Sequence, residues 1–169
     1  MRSLTVQLPE AGATAGLGAA LAGAITELSG GCATVHFRGE LAAGKTTCVR
    51  GLLRALGVNG PIRSPTYTLI EAYATPRLTC VHVDLYRLRG AAEVDDLGLQ
   101  DYMSAGHLIL IEWPERGGAS VPAADLDVAL GDAGAGRRAE LRGPTTLGAT
   151  WIEKLAQDSR IISYLPNLT

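Results

Sequence analysis

Apolar and polar residues alternate over 4–8, which predicts a short strand. Leu17, Leu21, Ile25 and Leu28 then recur at helical spacing up to Ser29-Gly30-Gly31, so a glycine-rich helix with a glycine stop follows. Residues 33–38 have strand character and run straight into a glycine loop, and 45–56 read as a helix closed by Gly57. Two β-rich stretches, 66–73 and 78–84, flank the Ala74-Thr75-Pro76 turn and predict a hairpin or two neighbouring strands. Short helices are expected at 93–97 and around Asp101-Tyr102. His107-Leu108-Ile109-Leu110-Ile111 is a near-continuous apolar run, as in a strand buried on both faces. Residues 126–130 and 139–141 can pair as a late hairpin, and 151–156 predict a last helix.

The strand, loop and helix around residue 40 carry the chemistry. Gly39-Glu40-Leu41-Ala42-Ala43-Gly44-Lys45-Thr46 matches the pattern whose backbone N–H groups turn inward onto phosphates at a helix N-terminus. Glycines let the main chain approach the anion, Lys45 places a point charge on the β- and γ-phosphates, and the Thr46 hydroxyl suits Mg2+. Thr47 is either a contact to the α-phosphate or an ordinary first-turn residue. A glycine-rich turn with an incidental lysine is the bland alternative, and the flanking strand and helix speak against it.

Two apolar strands end on acids, Asp84 and Glu112. In an open α/β sheet ligands sit at the carboxyl ends of the strands, so both acids face the loop if their strands run parallel to the first. For each alone the lesser alternative is a surface acid that simply ends a strand. Two strands ending alike favour a metal-holding or water-positioning role.

Bulk properties narrow the setting. A chain of 169 residues with 47% hydrophobic and 19% charged residues fits one domain, expected over 1–156, with a loosely held tail at 157–169. A net charge of -2 provides no global positive field for gripping a phosphate backbone, so any RNA would be carried by a partner. Cys32, Cys48 and Cys80 have no Cys-x-x-Cys spacing, which argues against zinc and disulfides and for a reduced, cytoplasmic setting. No apolar run reaches roughly 18 residues, so neither a signal peptide nor a membrane span is expected.

Gly39-Glu-Leu-Ala-Ala-Gly-Lys-Thr-Thr47, Ser64-Pro-Thr-Tyr-Thr68, His82-Val-Asp-Leu-Tyr-Arg87 and Ile111-Glu-Trp-Pro114 occur in this order. Together, from about Leu4 to Leu141, they resemble the TsaE (YjeE) family, the small bacterial ATPases required for threonylcarbamoyl modification of the adenosine beside the anticodon. The tRNAs concerned read codons that start with A. The resemblance implies an α/β P-loop fold with a mainly parallel sheet and an added antiparallel portion. It implies slow Mg2+-dependent ATP hydrolysis that resets a complex of TsaD and TsaB, which performs the transfer and leaves the tRNA contact indirect. By the same resemblance Lys45 and Thr46 hold phosphate and magnesium, Glu112 is the Walker B-like acid on the metal, and Asp84 is an essential acid near the γ-phosphate. Residues 64–68 would be a switch with Thr66 at its centre, Trp113 would lie beside the nucleotide, and Thr14 would touch it. The family pattern has glycine where this chain has Ala42; if that residue takes positive φ, alanine adds strain on the order of 1 kcal/mol.

The remaining candidates have plain readings. His36 and His82 lie in apolar strands and read as packing, Arg87 as a surface or carboxylate-pairing arginine, and Arg137 and Arg138 as exposed hairpin residues. Trp113 could equally fill the core. Two other functions stay open from the residues alone: a small-metabolite kinase, for which no lid is evident, and a nucleotide-dependent assembly module that binds ATP without turning it over.

Overall fold

The structure, a computed structural model, describes residues 1–25, 28 and 31–166. The Ser29-Gly30 part of the predicted helix stop and the last three residues of the tail lie outside the described residues. The strands are β1 (Arg2–Leu8), β2 (Ala33–Arg38), β3 (Ile70–Ala74), β4 (Thr79–Asp84), β5 (His107–Glu112), β6 (Leu126–Ala133) and β7 (Gly136–Gly143). They form one sheet in the order β1-β7-β6-β2-β5-β4-β3. Strands β6, β2, β5 and β4 run parallel, while β3 at one edge and the β7–β1 pair at the other are antiparallel to their neighbours. The apolar runs of β2, β4 and β5 are buried because helices and turns cover both faces of the sheet centre.

One face carries α1 (Ala11–Ala24), α2 (Lys45–Ala55) and α4 (Thr146–Leu155) over the larger core; the other carries α3 (Ala91–Asp96) over a smaller one built on Val81, Val83, Ile109 and Ile111. Among the glycines of α1, costly for an isolated helix, Gly18 is explained by how closely the helix lies on α2. A Cβ on Gly18 would sit 2.0 Å from the Cys48 carbonyl oxygen, and one on Gly51 in α2 would sit 2.2 Å from that of Ala15.

Two expectations need correction. The stretch 66–73 is a strand only from Ile70; residues 66–68 form a turn that Leu69 ends at φ 66°, its N–H donating to the Pro65 carbonyl. The hydroxyls of Ser64 and Thr66 are committed to Asp84 instead of flanking a ladder. Over the described residues 158–166 the chain is anchored where a loose tail was predicted: Ile161 is fully buried in the larger core, and Tyr164 and Leu165 pack against it. The last helix also starts earlier than its apolar pattern suggests, because the Thr145 hydroxyl accepts from the Gly148 N–H as an N-cap. Among the described residues no helix is long and apolar enough to cross a membrane.

Candidate functional site

The glycine loop leaves the end of β2 and turns into α2 in a shape that depends on its glycines. Gly39 has φ 134° and lies against the Leu130 carbonyl, 2.2 Å from where a Cβ would stand. Gly44 caps α2 in the left-handed region at φ 103°, and the first turn of α2 carries no acid of its own and no side-chain cap, which suits its N–H groups and dipole to a bound anion. Ala42 does take positive φ, 64°, and so carries the strain anticipated for a non-glycine residue. Its carbonyl accepts from Arg137 Nη2 at 3.0 Å.

Lys45 is folded onto its own loop. Its Nζ donates to the Gly39 and Glu40 carbonyls at 2.6 and 2.8 Å and lies 3.8 Å from the centre of the Trp113 ring. Burial pulls the pKa of Lys45 below the ordinary lysine value, opposed by the carboxylates of Glu112, Glu115, Asp84 and Glu40. Those contacts are to neutral acceptors, so the ammonium is poised to exchange them for an anion, which offers the stronger bond.

The acids at the ends of β4 and β5 are paired in register, Asp84 opposite Glu112, and both are buried. Glu112 Oε2 accepts from the Thr46 hydroxyl at 2.9 Å, and Oε1 bonds to His82 Nε2 at 2.8 Å. Asp84 Oδ2 accepts from the Ser64 and Thr66 hydroxyls, the latter at 2.8 Å, while Oδ1 accepts from the Tyr86 N–H at 3.0 Å. The Asp84 N–H in turn donates to the Leu69 carbonyl, so the turn at 64–69 and the end of β4 hold each other.

These groups meet in an open cleft of about 450 Å³. Of the residues singled out in the sequence, Leu41, Ala42, Gly44, Lys45, Thr46, Thr47, Thr66, Asp84, Glu112 and Trp113 line it. Gly39, Glu40 and Ala43 shape the loop from behind. Thr14 does not reach the cleft, contrary to the contact expected for it: it is fully buried beneath the loop, its methyl 3.2 Å from where a Cβ of Gly44 would stand. Two residues read as plain in the sequence, Arg137 and His82, join the site together with Tyr86. Arg137 reaches the cleft wall because β7 starts beside the loop; Tyr86 packs its ring 5.0 Å from that of Trp113; and His82 holds Glu112. No local pattern marks the arginine, although a histidine two positions before the strand-end acid, on the same face, is a signal for the last.

The donor set fits magnesium carried in by a nucleotide. Among the described residues there is no group of three or more His, Cys, Asp and Glu side chains arranged to hold a metal unaided. A hydroxyl bonded to a buried carboxylate at the mouth of a phosphate loop suits an ion whose other ligands are water and phosphate oxygens.

Comparison with known proteins agrees with this arrangement. The chain is 41% identical over 114 residues to the tRNA threonylcarbamoyladenosine biosynthesis protein TsaE of Haemophilus influenzae, covering 68% of this chain and 72% of that protein. It is 40% identical over 98 residues to the protein of the same name from Aquifex aeolicus, covering 57% and 68%. The crystal structure of Bacillus subtilis YdiB superposes with a TM-score of 0.74 over 92% of this chain and 95% of that one at 23% identity, which shows the shared P-loop fold. The model of the family described as threonylcarbamoyl adenosine biosynthesis protein TsaE matches residues 8–139, a span that takes in the loop, both strand-end acids and the start of β7, and the chain belongs to the TsaE family.

Proposed function

We propose that this chain binds ATP in the cleft and hydrolyses it as the ATPase subunit of a tRNA-modifying complex. The complex, with TsaD-like and TsaB-like partners in the cytoplasm, installs threonylcarbamoyl on the adenosine beside the anticodon; the tRNA contact belongs to those partners. The observation that carries the reading is the bond between the Thr46 hydroxyl and Glu112, which joins the phosphate loop to the neighbouring strand end. A loop that merely turned the chain would have no use for a buried carboxylate at that point.

The chain's own groups divide the work. The Gly44–Lys45 end of α2 offers unpaired N–H groups to the β-phosphate, and Lys45 leaves the Gly39 and Glu40 carbonyls for the β- and γ-phosphates. Thr46 and Glu112 are the groups that would hold Mg2+, which when bound supplies neutralisation of the phosphate charge. Arg137, held by the Ala42 carbonyl, adds a second cation beside the loop. Asp84, with the Ser64 and Thr66 hydroxyls on one oxygen, orients the attacking water and ties the 64–69 turn to the γ-phosphate end of the cleft. With both oxygens already accepting hydrogen bonds, Asp84 serves as an orienting acceptor.

The test is reconstitution with TsaD-like and TsaB-like partners, tRNA and the threonylcarbamoyl donor, with ATP consumption and modified adenosine both followed. ATP hydrolysis and repeated rounds of modification should depend on the chain. Full multi-turnover modification without it would refute the role, and modification that persists with hydrolysis blocked would leave ATP binding alone as the function.

A further inference from the structure

His82 has no place in the reaction as described, yet its position is unusual for a packing residue. It is fully buried in β4, opposite Leu110 of β5, and reaches diagonally to Glu112 two residues further on. Nε2 bonds to Glu112 Oε1 at 2.8 Å, and Nδ1 is buried without a partner among the described residues. A leucine would fill this volume without an unmet polar atom, so an imidazole here needs a compensating contact. Its one polar contact is with a carboxylate that is itself 2% exposed. An Nε2–H donating to Glu112 and a bare Nδ1 is the arrangement with the smaller penalty, since a protonated Nδ1 would leave a buried donor unpaired.

Glu112 is thereby held from both ends, one oxygen by His82 and the other by Thr46. Resting on the reading of Glu112 as the metal-holding acid, we propose that His82 is a positioning residue that sets metal affinity by locking the Glu112 carboxylate toward Thr46 through its Nε2–H. Without that donor the carboxylate is free to rotate about its terminal bond and loses the orientation that keeps Oε2 on the Thr46 hydroxyl. Partners that orient a metal-holding carboxylate typically change metal affinity by about 10- to 100-fold when removed.

The test measures Mn2+ binding by the paramagnetic resonance of free Mn2+, with a non-hydrolysable ATP analogue present, alongside metal-free analogue binding and thermal melts. His82→Leu should weaken Mn2+ by about 10- to 100-fold while metal-free analogue binding is kept. His82→Gln, whose terminal amide N–H stands where Nε2–H does, should restore parent affinity to within about threefold. If His82→Leu does not fold, His82→Asn replaces it, with an amide too short to reach Glu112 and the same predicted loss. A folded His82→Leu or His82→Asn with parent Mn2+ affinity overturns the proposal, as does a His82→Gln no better than either. Glu112→Gln separates the two levels: if it too leaves Mn2+ affinity unchanged, the reading of Glu112 as the metal-holding acid fails, whereas weakening by Glu112→Gln alone removes only the role of His82.

Discussion

Asp84 and Glu112 stand opposite each other at the ends of neighbouring parallel strands, yet they are held from different directions. Glu112 is gripped from within, by His82 in β4 and Thr46 in the first turn of α2, both part of the packed frame. Asp84 is gripped from the outer side, by Ser64 and Thr66 of a turn whose Tyr67 is 83% exposed and lies under Arg87. The geometry of one carboxylate is therefore tied to the global fold, and that of the other to a segment that can open locally. A response to the nucleotide should pass through Asp84 and the 64–69 turn, while the Glu112 side stays fixed.

The largest effect expected short of the acids removes what both sides serve. Lys45→Ala should lower ATP affinity by about 10²-fold, measured by calorimetry with magnesium, and Thr46→Ala should weaken the magnesium dependence of that binding. Unchanged affinity in both would mean that the loop is not the phosphate site. The contrast between the two acids is sharpened by the Ser64→Ala, Thr66→Val double variant, which should lower turnover by about tenfold through two lost hydrogen bonds. Amide exchange should quicken in residues 64–69 and stay unchanged at the end of β5; equal quickening at both would erase the distinction.

Smaller signals probe the cleft itself. Trp113 lies against Lys45 and lines the cleft, so its fluorescence should change when nucleotide displaces the lysine, whereas Trp151, 2% exposed in the larger core, should be silent. A nucleotide signal that survives Trp113→Phe would contradict this placement. The smallest effect is on stability: Ala42→Gly should raise it by about 1 kcal/mol in denaturant unfolding, because glycine accepts φ 64° without strain. A loss of stability would show that the position is not strained.

What could be read from the sequence were features with a local pattern. The apolar runs of β2, β4 and β5, the loop between Gly39 and Thr46 and the acids ending two strands each announce themselves within a few residues. The bond between His82 and Glu112 depends on how β4 is registered against β5, and the arrival of Arg137 at the loop depends on β7 lying next to β6 and β6 next to β2. No short window of sequence encodes either pairing, although the place of His82 two residues before Asp84 marks the residue itself. Pro65 marks a turn after Ser64, but the β-favouring threonines and tyrosine that follow suggest a strand from 66, while the hydroxyls of Ser64 and Thr66 are committed across the chain to Asp84. The segment after Gln157 shows the same limit: Ile161, Tyr164 and Leu165 have no helical or strand period, yet they dock on the core.

The central claim, that both acids turn ATP over while neither is needed to bind it, is tested most directly by one paired measurement. ATP hydrolysis with TsaD-like and TsaB-like partners and equilibrium ATP binding would be followed on the same preparations of the parent, Asp84→Asn and Glu112→Gln. Each variant should lose about 10²-fold or more in turnover and keep ATP affinity, measured without metal, within about threefold. Folded variants that hydrolyse ATP at the parent rate would contradict the account.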